Sequence, residues 1–354
     1  MDAFTPNVVG LMAQDPAGAS NLPADVARQY GALRTGTMLV DRSERVRATF
    51  AGAAAADVLT GLVTNDVPSL TRGEGQYAAL LTPKAKIIAD VRIFVRESDL
   101  LVDAPPRAAE GFWGTVRKYV NPRLAKYADV SGVIRDIGVF GMGAPAVVSG
   151  VLGIDQGALV SLTPYHHLLA DFAGERVTVA RVPDAGLDGF ELFAAPDVTA
   201  ALQARAISRG AILAGVAAFD IARIEAGRPE WGVEMDDTML PQEANLDDLH
   251  AISYTKGCYT GQETVARVHF RGHVNRHLRG VCFDTNVIPS PRAALVDPSN
   301  GHLVGEVRSA VESPRLGGVG LAMVRREVSV GTALRATWDE SGTTVTVAAL
   351  PFPA

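Results

Sequence analysis

A change of character near Asn275 does most to limit what this chain can fold into. Beyond it, short β-prone runs at 278–283, 304–309, 318–324, 333–337 and 344–348 are separated by Gly, Pro, Asn and Ser turns. Short strands at even spacing with turn signals between them predict a small antiparallel barrel. Before it, strand-like and helix-like stretches mix, which predicts an α+β region. The chain has 354 residues, more than the roughly 250–300 that one core usually holds. We therefore divide it into residues 1–275 and a barrel domain over residues 276–354.

Hydrophobic residues make up 47% and charged residues 20%, the balance of a globular protein. The net charge of −6 supplies no overall field for nucleic acid, so no direct nucleic-acid partner is expected, although a local basic patch stays open. Cys258 and Cys282 are the only cysteines, too few for a disulfide framework and suited to a reducing cytoplasm. Residues 1–10 lack the basic and apolar parts of a secretory signal. No apolar run reaches the roughly 18 residues of a membrane span. The expectation is a soluble cytoplasmic protein without a membrane partner.

Residues 1–35 read as a variable lead-in with one helical stretch at 24–33. Strands are predicted at 45–50, 76–81, 87–94, 100–103, 133–140, 168–172, 177–182 and 186–193. Helices are predicted through the alanines to Leu62, at 107–120, at 197–209 before Gly210, and at 218–227. On the last of these, Arg223 and Glu225 fall on different faces, because paired side chains need three- or four-residue spacing. Gly141-Met142-Gly143 lacks a third glycine or a Lys-Ser/Thr pair and reads as a plain strand-to-helix turn. His269, His273 and His277 are four apart, but Gly272 and the alternating flanks predict a strand and turn, which scatters the rings.

Two acids stand out inside apolar strands, Asp90 and Glu191. Such an acid is paired, serves chemistry, or lies on a face that meets water. A third feature is Lys256-Gly257-Cys258-Tyr259-Thr260-Gly261-Gln262-Glu263. Glycines beside a thiol allow positive φ and close approach, and an ammonium nearby favours the thiolate. Alone, without a partner motif, Cys258 reads first as a small buried residue in an ordinary turn.

The whole octapeptide resembles the signature of the YgfZ family of folate-binding proteins, paralogues of the glycine-cleavage T-protein, an aminomethyltransferase. Gly61-Leu62-Val63-Thr64-Asn65-Asp66, residues 77–90 and 186–191, and Arg223-Ile224-Glu225-Ala226-Gly227 extend the resemblance. Phe270-Arg271-Gly272, Asn275-Arg276 and Glu312-Ser313-Pro314 carry it into the barrel. It implies a three-lobed ring around a central folate pocket, with two interleaved α+β lobes and the barrel as the third. It implies tetrahydrofolate as ligand, with Asp90 beside the nitrogens that carry the one-carbon unit and Tyr77, Glu191 and Arg223 as folate contacts. Asp103 stands where the T-protein has an asparagine and is placed with them. Ala85, Lys86, Ala89 and Leu187 depart from the T-protein pattern, and the T-protein lacks the cysteine octapeptide. The resemblance therefore implies support for iron–sulfur enzymes or their assembly proteins, including tRNA-modifying ones, with Cys258 and Asp90 as the working groups. Rivals are a true aminomethyltransferase, a folate-dependent demethylase and a non-catalytic scaffold.

Overall fold

The computed structural model describes residues 22–285 and 287–353. The earlier part of the lead-in lies outside the described residues.

A five-stranded antiparallel sheet runs in the order Gly75–Leu81, Ile87–Val95, Leu100–Ala104, Val46–Ala51, Lys126–Asp129. Its period of two sorts the side chains cleanly. Ala78 and Leu80, Ala89, Val91 and Ile93, and Val46, Ala48 and Phe50 point to one face, where Phe112 and Val116 of the helix Ala109–Tyr119 complete an apolar core. The alternate positions, Tyr77, Asp90, Arg92, Arg47 and Asp103, therefore share the opposite face.

A six-stranded sheet follows the order Ile212–Ala214, Met38–Asp41, Arg135–Phe140, Gly189–Ala194, Glu175–Arg181, His167–Phe172. Only the first pairing is parallel. Ile137, Val139, Phe190 and Leu192 pack under the helices Ala144–Leu152 and Pro196–Ser208. Asp136 and Glu191 take the other parity, and ion pairs join them to the polar face of the first sheet. Burying the apolar faces outward under helices leaves charged faces turned toward each other.

The barrel closes through Arg276–Phe283, Gly317–Arg325, Leu303–Ser313, Ala294–Val296, Ala333–Trp338 and Ser341–Ala348. Closure removes the exposed strand edges. Leu278, Val319, Leu321 and Met323 face the main body and join its core. Glu225 fixes the same joint: its buried carboxylate accepts from the Tyr30 hydroxyl at 2.9 Å, from Ser313 and from Arg315 at 3.1 Å.

One expectation fails. Residues predicted as strand and turn after the cysteine loop begin as the helix Gln262–Arg271, with Gly272 as its C-cap. Val265 is its single buried residue, yet Val265 and Val268 are three apart and Ala266 and Phe270 four apart, a helical spacing that Gly272 and the flanking alternation outweigh in the sequence. His269 lies on this helix, His273 beyond it and His277 in the barrel strand Arg276–Phe283. Among the described residues no helix is long and apolar enough to cross a membrane.

Candidate functional site

Between the sheets lies a seam of buried charge. In cross-strand register, Asp103 sits between Arg47 and Arg92. Asp103 accepts from Arg92 Nε at 2.8 Å and from Arg45 Nε at 2.7 Å. Arg92 then crosses to the other sheet, reaching Glu191 at 2.7 Å and Asp184 at 3.2 Å. Arg47 reaches Asp136 at 3.4 Å. Burial opposes ionisation of Asp103, but the charges of Arg45, Arg92 and Arg47 overcome it and hold the carboxyl well below its ordinary range. Burial and the adjacent Glu191 push Asp136 the other way, well above its ordinary range.

Beside the seam opens a narrow slot with about 820 Å³ of space including its mouth, of which about 100 Å³ admits the centre of a water molecule. Tyr77, Asp90 and Arg92 form its floor, and Tyr165, Phe219 and Arg228 stand around it. The Tyr77 and Tyr165 rings are stacked, 12° apart in plane with centroids 5.8 Å apart. The Tyr77 hydroxyl donates to Asp90 Oδ2 at 2.9 Å. Asp90 Oδ1 accepts no hydrogen bond from any described group, although the residue is only 6% exposed. Burial raises the Asp90 carboxyl to about 6, against the opposing pull of Arg45 and the Tyr77 hydroxyl. The slot thus holds an acid able to give or take a proton near neutral pH, with one buried oxygen that no described group hydrogen-bonds.

Of the residues expected from sequence, Tyr77, Asp90 and Arg223 line this slot. Glu191 and Asp103 do not. Both are fully buried behind it, ion-paired to arginines. Arg223 is itself engaged: it donates to Asp220 at 2.7 Å, to Glu234 at 3.0 Å and to the Arg228 carbonyl at 3.2 Å. Sequence reasoning missed Arg45, Arg92, Tyr165, Asp184 and Arg228. Arg92 was within reach, since it shares strand parity with Asp90. Tyr165 stands before a strand at φ 66°, and nothing local advertises it.

The cysteine loop lies outside the slot. Cys258 is exposed on the surface. Lys256 does not serve it as the sequence suggested, because its ammonium donates to the carbonyls of Thr60, Val63 at 2.7 Å and Asn65 at 2.9 Å. Burial lowers this ammonium to about 8. Lys256 therefore anchors the loop to the turn after the helix Ala55–Thr60. Of the two glycines flanking Cys258, only Gly261 needs to be one. Its φ is +86°, and a Cβ there would lie 2.8 Å from the Thr82 carbonyl. Gly257 has open space around it.

Fold and site together define a class: two sheets joined by buried ion pairs, a closed barrel, and a slot floored by a poised carboxyl. Comparison with known proteins gives the family. The profile of the GCVT N-terminal domain matches residues 9–253, and the chain belongs to that family. It is 28% identical over 300 residues to an aminomethyltransferase of Nostoc sp., covering 82% of this chain and 77% of that one. It is 28% identical over 333 residues to an aminomethyltransferase of Saccharopolyspora erythraea, covering 92% and 89%. The crystal structure of glycine cleavage system aminomethyltransferase T from Bartonella henselae shares the fold, with a TM-score of 0.82 at 22% identity, covering 93% of this chain and 89% of that one.

Proposed function

We propose that the slot binds tetrahydrofolate and that Asp90 handles a proton at the folate nitrogen that carries the one-carbon unit. The observation that carries this reading is the state of Asp90: buried, steadied by Tyr77 through one oxygen, free on the other, and raised to about 6. The stacked rings of Tyr77 and Tyr165 at the slot offer aromatic surface to a planar ligand ring. The activities named for the relatives in Nostoc sp. and Saccharopolyspora erythraea support a folate-dependent setting. Asp90 would orient the folate and exchange its proton, while Tyr77 holds the carboxyl in position.

Within that setting we place the protein with the YgfZ type, supporting iron–sulfur enzymes or their assembly proteins, including tRNA-modifying ones. The exposure of Cys258 outside the slot supports a thiol directed at a partner. A single cysteine cannot hold a standard four-ligand cluster, so any cluster belongs to the client. Aminomethyl transfer is the second reading, favoured by the relatives' activity and by Asp90.

Two assays separate them. One is glycine-dependent turnover with a lipoylated carrier and tetrahydrofolate; the other is iron–sulfur enzyme activity in cells lacking the protein. Restoration of client activity by wild type but not by Cys258→Ser, without glycine turnover, is the expected result. Turnover that Asp90→Asn removes and Cys258→Ser keeps would overturn the accessory role in favour of the transferase.

A further inference from the structure

The slot contains a cation, Arg228, whose side chain forms no hydrogen bond or ion pair among the described residues, although its charge helps hold the Asp184 carboxyl below its ordinary range. Arg228 lies between Gly227, at φ +65°, and Pro229. Its backbone is gripped at both ends by Arg223: the Arg228 N–H donates to the Arg223 carbonyl at 2.9 Å, and Arg223 Nη1 donates to the Arg228 carbonyl at 3.2 Å. Asp220 and Glu234 in turn fix the Arg223 guanidinium. A residue so firmly placed still has a side chain that makes no hydrogen bond or ion pair among the described residues, half-buried in the slot wall. Arg45 is a second cation with donors to spare. It is only 7% exposed and lines the same slot, yet it donates to Asp103 through Nε alone. Every other arginine of the slot is ion-paired. A partly desolvated guanidinium without a partner is costly and is satisfied best by a carboxylate, which its planar fork can bind through two parallel hydrogen bonds.

We propose that Arg228 is the anion receptor of the slot and takes a carboxylate of the bound ligand, with Arg45 adding positive charge from the floor. Arg223 is then a positioning residue for Arg228. This reading rests on the proposed folate site for the identity of the ring, but the anion subsite can be tested without it. The carboxylate comes either from the folate's own benzoylglutamate tail or from a separate small acid.

Calorimetric titration of the full chain, as wild type, Arg228→Gln and Arg228→Lys, distinguishes these sources. The probes are tetrahydrofolate, 6-methyltetrahydropterin (a reduced ring without carboxylate), p-aminobenzoylglutamate, and acetate added to the ring-loaded protein. Thermal melts verify folding, which Arg228→Gln leaves intact because the side chain forms no hydrogen bond or ion pair among the described residues. Arg228→Gln is expected to weaken tetrahydrofolate and p-aminobenzoylglutamate by roughly ten- to a hundredfold, the worth of a charged hydrogen bond. Binding of 6-methyltetrahydropterin should stay within about twofold, since that ring presents no anion. Arg228→Lys should fall between, keeping the charge and losing the fork. If only acetate is lost in Arg228→Gln, the subsite stands and its carboxylate belongs to a second molecule. If neither reduced pterin binds wild type while p-aminobenzoylglutamate still needs Arg228, the folate reading fails and the subsite stands. Arg228→Gln binding every carboxylate probe as wild type does, or wild type binding none of them, would overturn the proposal.

Discussion

Replacing Asp90 by asparagine should make the protein more stable at neutral pH. The Asp90 carboxyl titrates near 6 when folded, against an ordinary 3.8. Between those values the folded state binds more protons than the unfolded one, so this group makes stability fall as pH rises from about 4 to about 6. Above that window the full cost applies. At about 1.4 kcal/mol per pH unit, the gap corresponds to about 3 kcal/mol at most. Asparagine fits the same space, can accept the Tyr77 hydroxyl at its oxygen, and carries no charge to desolvate. Urea unfolding of both proteins, followed by tryptophan fluorescence, should show Asp90→Asn ahead by about 1–3 kcal/mol at pH 7.5 and the advantage nearly gone at pH 4. An acid that lowers stability where it sits is what a functional rather than a structural role predicts. Equal stabilities at pH 7.5, or a deficit of the same size at both pH values, would refute the reasoning, because the loss of hydration at Asp90 would then be matched or exceeded by the attraction of its neighbours.

Other perturbations test the surroundings of the slot. Arg92→Met removes the shortest ion pair of buried Glu191, leaving it only Arg42 at 3.7 Å, and one of the three arginines around Asp103, and should cost about 3–5 kcal/mol in the same unfolding assay. Adding Glu191→Gln should recover part of that loss. Lys256→Met leaves the carbonyls of Thr60, Val63 and Asn65 without their donor and should cost about 2–4 kcal/mol, with faster proteolysis at the cysteine loop. In the folded protein at pH 7 an aromatic disulfide reagent should modify Cys258, which is exposed, much faster than Cys282, which is half-buried and whose thiol burial pushes up. Unfolding should bring the two rates together.

Much of the architecture was legible because the polypeptide obeys its periods. From Ala89 to Ile93 the strand around Asp90 alternates between small or apolar and charged residues, and most barrel strands are bounded by turn residues. The three-residue strand Ala294–Val296 is too short for a period to show, and in the helix Gln262–Arg271 the turn signal of Gly272 overrides the helical spacing of Val265, Val268, Ala266 and Phe270. At the site, Asp90 was legible as an acid inside an apolar strand, whereas Tyr77, on the neighbouring strand, was marked only by the family resemblance. Glu191 was equally conspicuous, but an acid inside a strand has two destinies, pairing or chemistry, and only the position of Arg92 across the seam decides between them. Asp103 followed the same course. Arg228 could not be singled out: its lack of a partner is a property of the assembled slot, where Arg223 holds its backbone and no acid pairs with its side chain. Lys256 shows the converse, a charge that seemed placed for the thiol but serves three carbonyls instead.

The central claim is that the slot over Asp90 holds tetrahydrofolate, and calorimetric titration of wild type, Cys258→Ser and Asp90→Asn with tetrahydrofolate tests it most directly. Equal affinity is predicted for wild type and Cys258→Ser, because Cys258 lies outside the slot, with weaker binding by Asp90→Asn. Absence of binding to folded wild type, or affinity unchanged in Asp90→Asn and reduced in Cys258→Ser, would contradict it.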